Sequence, residues 1–151
     1  MSIDGFRIGF GAALFAALAF SACSSSQTDG NLDCTGQNAG DQIIASTCAI
    51  SGCHSTSSAN LLGAGLDLTV NATIGSRLIG VKSTGTGGSK CGGNSTPYLN
   101  ANSNPATGLL IEKIHPQPSC GVQMPQVGTA LTSNQQACIV QWATGLTTAA
   151  K

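Results

Sequence analysis

The chain has 151 residues, and its six Lys and Arg balance its six Asp and Glu, so the formal net charge is zero. Only 8% of the residues are charged, against about 25% in ordinary soluble proteins, and there is no basic stripe that nucleic acid would need. Aromatic residues make up 4%. A single domain with so few large aromatic side chains needs covalent cross-links, or a large apolar group supplied from outside the chain, to complete its core.

The N-terminal segment is typical of a targeting sequence. Arg7 precedes an apolar run over 8–20, which is too short to span a membrane comfortably and suits the core of a signal peptide. The run ends in "FSAC", which resembles a bacterial lipoprotein signal with Cys23 as the lipidated residue. We therefore predict a signal peptide over 1–22, a flexible tether over 23–33 and a domain over 34–151. An ordinary cleaved signal that leaves Cys23 as a thiol is the alternative.

The first half of the domain predicts two helices separated by a loop. The stretch "GDQIIAST" at 40–47 predicts a short helix, with its two isoleucines facing the core and Asp41 near the positive end of the dipole. Residues 55–70 predict a loop whose leucines pack inward. A second helix is expected over 71–81, with Asn71 as its N-cap and Ile74, Leu78 and Ile79 on one face. The Gly/Ser-rich stretch at 82–97 matches no phosphate-binding motif and predicts a plain loop.

The second half predicts two further helices. In 103–114, Asn104 is expected to cap a helix that has Pro105 at its first position. The prolines in 115–128 exclude regular structure there. The last helix, 131–146, begins with a capping box formed by Thr132 and Gln135 and is expected to end at Gly145. The sequence thus predicts a mainly α domain of three to four short helices joined by long loops.

The motif "CAISGCH" carries most of the chemical information. Covalent haem attachment needs two thiols and a histidine directly after the second, usually as C-x-x-C-H. Here Cys48 and Cys53 are separated by four residues and His54 follows at once, and Ser51 with Gly52 would let the extra residues loop out. Haem iron in electron-transfer proteins often takes a Met sulfur on its other face. Met124, the only Met after the signal peptide, lies in an irregular loop before a proline.

Export implies an oxidising compartment, in which cysteines tend to pair. Apart from Cys23, the chain has six cysteines. If Cys48 and Cys53 hold a haem, four remain and three pairings are possible. We expect Cys34–Cys138, joining the two ends of the domain, and Cys91–Cys120, closing a loop across its middle. Cysteine parity does not discriminate between a haem site and a third disulfide.

Taken together, these features resemble the cytochrome c family, and more narrowly small exported bacterial cytochrome-c-like lipoproteins. The resemblance runs from about Ile43 to Leu146, nearly the whole mature chain. Its landmarks occur in order: "CAISGCH", "AGLDL" (64–68), "RLIGV" (77–81), "NPATGLLIEKI" (104–114), "CGVQMP" (120–125) and "LTSNQQACIVQWATGL" (131–146).

The resemblance implies a cytochrome c-like fold, in which the first and last helices cross and Trp142 packs near the crossing. It implies one covalent haem c, with Cys48 and Cys53 as thioether cysteines, His54 as proximal ligand and Met124 as distal ligand. Six leucines are then expected to wall the haem pocket: Leu61, Leu62, Leu66, Leu78, Leu109 and Leu110. The implied function is that of a monomeric electron carrier with a redox partner protein, not an enzyme. The expected location is the outer membrane, facing the periplasm or the cell surface, with the lipid as anchor.

Three alternatives stay open. A haem-free binding or structural lipoprotein would use the same scaffold with Cys48–Cys53 as a third disulfide. The grouping of His115, Cys120 and Met124 contains copper-ligand types, whereas "CAISGCH" lacks a fourth ligand for zinc. Within the haem hypothesis, His115 is the other candidate distal ligand, although an exposed loop position ahead of a proline is its simpler interpretation.

Overall fold

The computed structural model describes residues 34, 37–56, 65–83, 91–92 and 95–149. Helix α1 spans Gln37–Ile43 and continues as a π-helical turn over Ile44–Cys48; α2 spans Ile74–Leu78, α3 Leu109–Ile114 and α4 Ser133–Ala149. The only β pairing in this part of the chain is two isolated bridges, Ile79 with Leu99 and Lys82 with Pro97. The predicted mainly α class is confirmed. The signal peptide (1–22), the tether (23–33) with Cys23, and the residues Leu61 and Leu62 lie outside the described residues.

One hydrophobic core joins all four helices. Its members are apolar side chains that are at most 9% exposed, among them Ile43, Ile44, Leu66, Leu68, Leu78, Leu99, Leu109, Leu110, Ile114, Ile139 and Trp142. Of the helices in the described ranges, none is long and apolar enough to cross a membrane.

The first helix differs from its prediction at both ends. It begins at Gln37, three residues before the predicted start, and its π-helical extension carries the chain to Cys48. The Ser46 hydroxyl donates to the Gln42 carbonyl at 2.7 Å, and such back-bonding loosens the regular helical ladder. Asp41 therefore lies inside the helix and not at its positive end. Its carboxylate instead accepts a hydrogen bond from the Trp142 indole.

The first and last helices pack closely against each other. Gly40 of α1 faces Trp142 of α4, and a Cβ added to this glycine would lie 2.1 Å from the Trp142 Cβ atom. The predicted Cys34–Cys138 disulfide is present, with its Cα atoms 4.9 Å apart. It joins the start of the described domain to α4 beside this contact. Since no side chain fits between the two helices at Gly40, that residue sets how closely they approach.

Helix α4 begins as predicted and ends later. The Thr132 hydroxyl accepts from the Gln135 amide at 3.3 Å, and the Gln135 side chain accepts from the Thr132 amide at 2.9 Å, which confirms the capping box. Gly145 does not end the helix, which continues to Ala149. The cause is Thr147, whose hydroxyl donates to the Ser103 carbonyl at 2.8 Å and whose side chain is fully buried. This tertiary contact outweighs the local preference of glycine for a helix end.

The predictions for the starts of the two middle helices are wrong. Asn71 accepts from the Thr73 amide at 3.0 Å in a turn that precedes α2, so it is not the N-cap. Asn104 and Pro105 also precede their helix, because α3 starts only after Gly108, which has a φ of +130°. The following two amides, of residues 109 and 110, donate to the Pro97 and Tyr98 carbonyls. A Cβ at residue 108 would lie 2.6 Å from the Tyr98 oxygen, so the approach of the 97–98 segment requires a glycine there.

Candidate functional site

The "CAISGCH" motif forms a closed turn at the end of the first helix. The Cys53 amide donates to the Ile50 carbonyl at 3.0 Å, and Gly52 has a φ of +85°, as the third residue of a type II turn requires. The His54 amide then donates to the Cys48 carbonyl at 3.0 Å. The four residues of the spacer are therefore looped out, as predicted. The Cys48 carbonyl and the His54 amide are hydrogen-bonded despite the long spacing.

The His54 ring is held by a backbone carbonyl. Its Nδ1 lies 3.1 Å from the Leu66 oxygen. A carbonyl can only accept, so Nδ1 carries a proton, and in the neutral ring the lone pair is on Nε2. The Leu68 amide donates back to the His54 carbonyl at 2.8 Å, and the side chains of Leu66 and Leu68 are buried in the core. The predicted inward packing of these leucines is confirmed. Nε2 is thereby defined as the nitrogen that this ring can offer to a metal.

Cys48 and Cys53 are not joined in a disulfide. Cys48 is half-buried and packs against the hydrophobic core. Burial, and to a lesser extent the charge that Cys53 would carry, raise the pKa of the Cys48 thiol to about 12. A thiol in this position is a weak nucleophile because the thiolate is the reactive form. The pair is therefore slow to oxidise through attack by Cys48.

In the haem-free protein, we expect the raised pKa of Cys48 to slow its alkylation. A pKa of about 12 in place of the ordinary 9.0 makes the thiolate fraction of Cys48 at neutral pH about 1000-fold smaller, a factor of ten for each pKa unit. Iodoacetamide should modify Cys48 about 1000-fold more slowly than a small-molecule thiol of ordinary pKa, with a rate that is still rising above pH 10. Peptide mass spectrometry at timed intervals measures this rate. A rate at Cys48 that levels off near pH 9 would contradict the assigned pKa.

Met124 lies on a separate loop that is fastened to the end of α3. Its amide donates to the Lys113 carbonyl at 2.7 Å, and the Lys113 ammonium donates to the Val122 carbonyl at 2.9 Å. Burial lowers the pKa of Lys113. The predicted Cys91–Cys120 disulfide, with Cα atoms 5.2 Å apart, ties down the start of the loop. Met124 is half-buried and lies beside the end of α3. The Leu109, Leu110 and Ile114 side chains of α3 belong to the same core as Leu66 and Leu68.

His115 lies in different surroundings from Met124. Its Nδ1–H donates to the Ile111 carbonyl at 2.8 Å, and its ring is half-buried, not exposed as its simpler interpretation predicts. It borders a surface groove together with Pro105 and the face of α4 that carries Gln136 and Val140.

The copper alternative fails because the Cys120 sulfur is bonded to Cys91 and offers no thiolate. Within the described ranges, no three His, Cys, Asp or Glu side chains group to hold a metal ion.

Two parts of the site escape sequence reasoning. The Leu66 carbonyl that orients His54 is a backbone group, and no side-chain pattern indicates its role. Lys113 looks like an ordinary surface residue of α3, and only the structure shows that both its carbonyl and its ammonium hold the Met124 loop. The sequence signal that was available is the apolar–acidic–apolar alternation of Leu66, Asp67 and Leu68, which predicts that the two leucines share one face.

Comparison of the chain with models of protein families, with curated proteins and with solved structures finds no match. The function is therefore inferred from the chemistry and geometry of the chain's own residues.

Proposed function

We propose that the chain is a c-type haem electron carrier, anchored in the outer membrane by a lipid on Cys23. Cys48 and Cys53 hold the haem covalently, and His54 and Met124 are the axial ligands of its iron. The observation that carries the proposal is the hydrogen bond from His54 Nδ1–H to the Leu66 carbonyl. It selects Nε2 as ligand and raises the basicity of the ring, as carbonyl or carboxylate partners do for metal-bound histidines.

The cysteines support the same assignment. Four of the six cysteines in the described residues form two disulfides, while the pair nearest His54 remains as thiols. Two thioether bonds require two thiols. The haem-free alternative would instead pair these two thiols in a third disulfide. The looped-out spacer also brings the Cys48 carbonyl to the His54 amide, so the spacing of four residues is compatible with a compact attachment turn.

The apolar core beside the attachment turn supports the proposal. Four of the six leucines predicted to wall the pocket, Leu66, Leu78, Leu109 and Leu110, are buried in one core. The packing of α1 against α4 through Gly40 and Trp142 supports the cytochrome c-like arrangement of the first and last helices.

Haem supplies the one-electron couple of the proposed carrier. The role of the chain is to hold two axial side chains in place and to exclude water from the apolar side of the site. His54 and Met124 together would leave the iron without a position for a substrate, so we propose another redox protein as the partner and electron transfer, not enzymatic turnover, as the role.

The attachment is tested by single substitution of each thiol. The wild-type protein, exported from a host that assembles c-type cytochromes, should give a pyridine haemochrome α-band typical of two thioether bonds. Cys48→Ala and Cys53→Ala should each give a band shifted toward longer wavelength, as one vinyl group remains. Ser51→Ala, an exposed spacer residue, is the matched control and should leave the band in place. A wild-type protein without any haemochrome would refute the proposal.

A further inference from the structure

The Arg77 side chain, which belongs to helix α2, holds the backbone of residues 67–69 at the end of "GLDL" (65–68). Its Nε–H donates to the Asp67 carbonyl at 3.2 Å, and one Nη donates to the Thr69 carbonyl. The other Nη donates to the Asn71 side chain at 3.0 Å and to the Thr73 hydroxyl at 2.7 Å. A planar guanidinium can serve several acceptors in this way, which a lysine ammonium with its different geometry cannot. The backbone of residues 67–69 is thereby fixed to the helix.

The same segment is also fastened to the residues after His54. The Asp67 carboxylate accepts from the Thr69 amide at 2.9 Å and from the Thr56 hydroxyl at 3.1 Å. The Thr56 amide donates to the Thr69 hydroxyl at 3.3 Å, and the Leu68 amide donates to the His54 carbonyl. The carboxylate also lies 3.9 Å from the guanidinium, in the only salt bridge among the described residues. Arg77, Asp67 and Thr56 thus form one network around the backbone beside His54.

We propose that Arg77 is a positioning residue for the His54 imidazole. The Leu66 carbonyl, which accepts from His54 Nδ1–H, belongs to the peptide bond that leads directly into Asp67. Fixing the Asp67 carbonyl and carboxylate therefore fixes the direction of the Leu66 oxygen. Without Arg77 this oxygen has more freedom, and the imidazole loses its preference for the proton on Nδ1.

The consequence for the iron rests on the proposed function. A strong hydrogen bond from Nδ1–H to a carbonyl makes the ring a better electron donor, which favours the oxidised iron. Loss of Arg77 should therefore raise the reduction potential of the loaded protein. The tautomer of His54, in contrast, is a property of the chain alone and can be measured without haem.

The decisive experiment is NMR of the ¹⁵N-labelled histidine rings in the haem-free protein, at a pH well above the ordinary imidazole pKa. In the wild type, His54 should carry its proton mainly on Nδ1. Arg77→Gln should shift a large share of the ring to the Nε2–H form, which free histidine prefers. Thr56→Val, which removes one hydroxyl of the network at an exposed position, should give a smaller shift in the same direction. Thr56→Val remains informative if Arg77→Gln does not fold.

Two controls separate a loss of His54 positioning from a general loss of stability. Thr147→Val removes a buried hydroxyl on α4 that donates to the Ser103 carbonyl, so it should lower stability and leave the His54 tautomer unchanged. Ser76→Ala removes an exposed hydroxyl from α2 that donates to the Thr73 carbonyl, and it should change neither quantity. In the loaded protein, the potential should rise with Arg77→Gln and stay constant with Thr147→Val.

The outcomes distinguish this inference from the proposed function. A tautomer shift with Arg77→Gln or Thr56→Val supports the positioning role even if the chain never takes up haem. An unchanged tautomer in folded Arg77→Gln and Thr56→Val overturns it, even if the wild type is a fully loaded cytochrome.

Discussion

Replacing Met124 with alanine is expected to abolish the weak near-infrared charge-transfer band of Met–iron ligation in the oxidised, loaded protein. Met is the axial ligand that raises the potential of electron-transfer haems. The reduction potential should therefore fall by roughly 0.2 V, part of the range of about 0.8 V that axial ligands span. Absorption spectroscopy with redox titration measures both effects.

Two further variants make this test specific. Val122→Ala changes a side chain in the same loop that is 48% exposed, and it should leave the band and the potential nearly unchanged. His115→Ala tests the other candidate ligand. Because His115 borders a groove with Pro105 and α4, the band should survive this substitution. A wild type without the band, whose potential changes in His115→Ala and not in Met124→Ala, would assign the distal position to His115.

Gly40→Ala is expected to destabilise the domain strongly. The added Cβ would lie 2.1 Å from Trp142 Cβ, 2.7 Å from Trp142 Cγ and 3.0 Å from the Cys138 carbonyl oxygen. These are not flexible ends of side chains, so α1 and α4 would have to move apart. We expect a loss of roughly 3 kcal/mol in the free energy of unfolding, the upper part of the usual range for overpacking. This corresponds to a fall in Tm on the order of 10 °C.

Gly75→Ala is the matched control. This glycine also lies in a helix, but its added Cβ meets only the Ile79 Cδ1 atom at 3.6 Å, which is ordinary contact. Alanine should therefore stabilise α2 by about 0.5 kcal/mol, since glycine is the poorer helix former. Thermal unfolding of both variants by circular dichroism gives the comparison. Equal effects of the two substitutions would contradict the close packing at Gly40.

The sequence predicts those parts of the fold that depend on local signals. The capping box of Thr132 and Gln135 marks the start of α4 because the two residues satisfy each other's backbone amides without help from elsewhere. The start of α3 depends instead on Pro97 and Tyr98, whose carbonyls accept from its first amides. A contact between segments that are distant in sequence leaves no local pattern, so the predicted cap at Asn104 fails.

The candidate site also has features that the sequence predicts and features that depend on distant contacts. The residue types and the order of Cys48, Cys53 and His54 point to a haem-attachment turn, and a glycine with positive φ explains how the long spacer closes. The sequence could not predict the partner of the histidine. The Leu66 carbonyl is a backbone group twelve residues away along the chain, and the fold brings it to His54. The disulfide pairing was one of three possibilities, and it is confirmed.

The most direct test of the central claim is the intact mass of the wild-type protein exported from a host that assembles c-type cytochromes. We expect a mature chain with one haem of added mass, retained under denaturing conditions, and the two hydrogen pairs lost to Cys34–Cys138 and Cys91–Cys120. Trypsin should release the haem on the peptide that contains Cys48 and Cys53. A colourless protein whose mass shows three disulfides and no haem would contradict the account and favour a haem-free lipoprotein on the same scaffold.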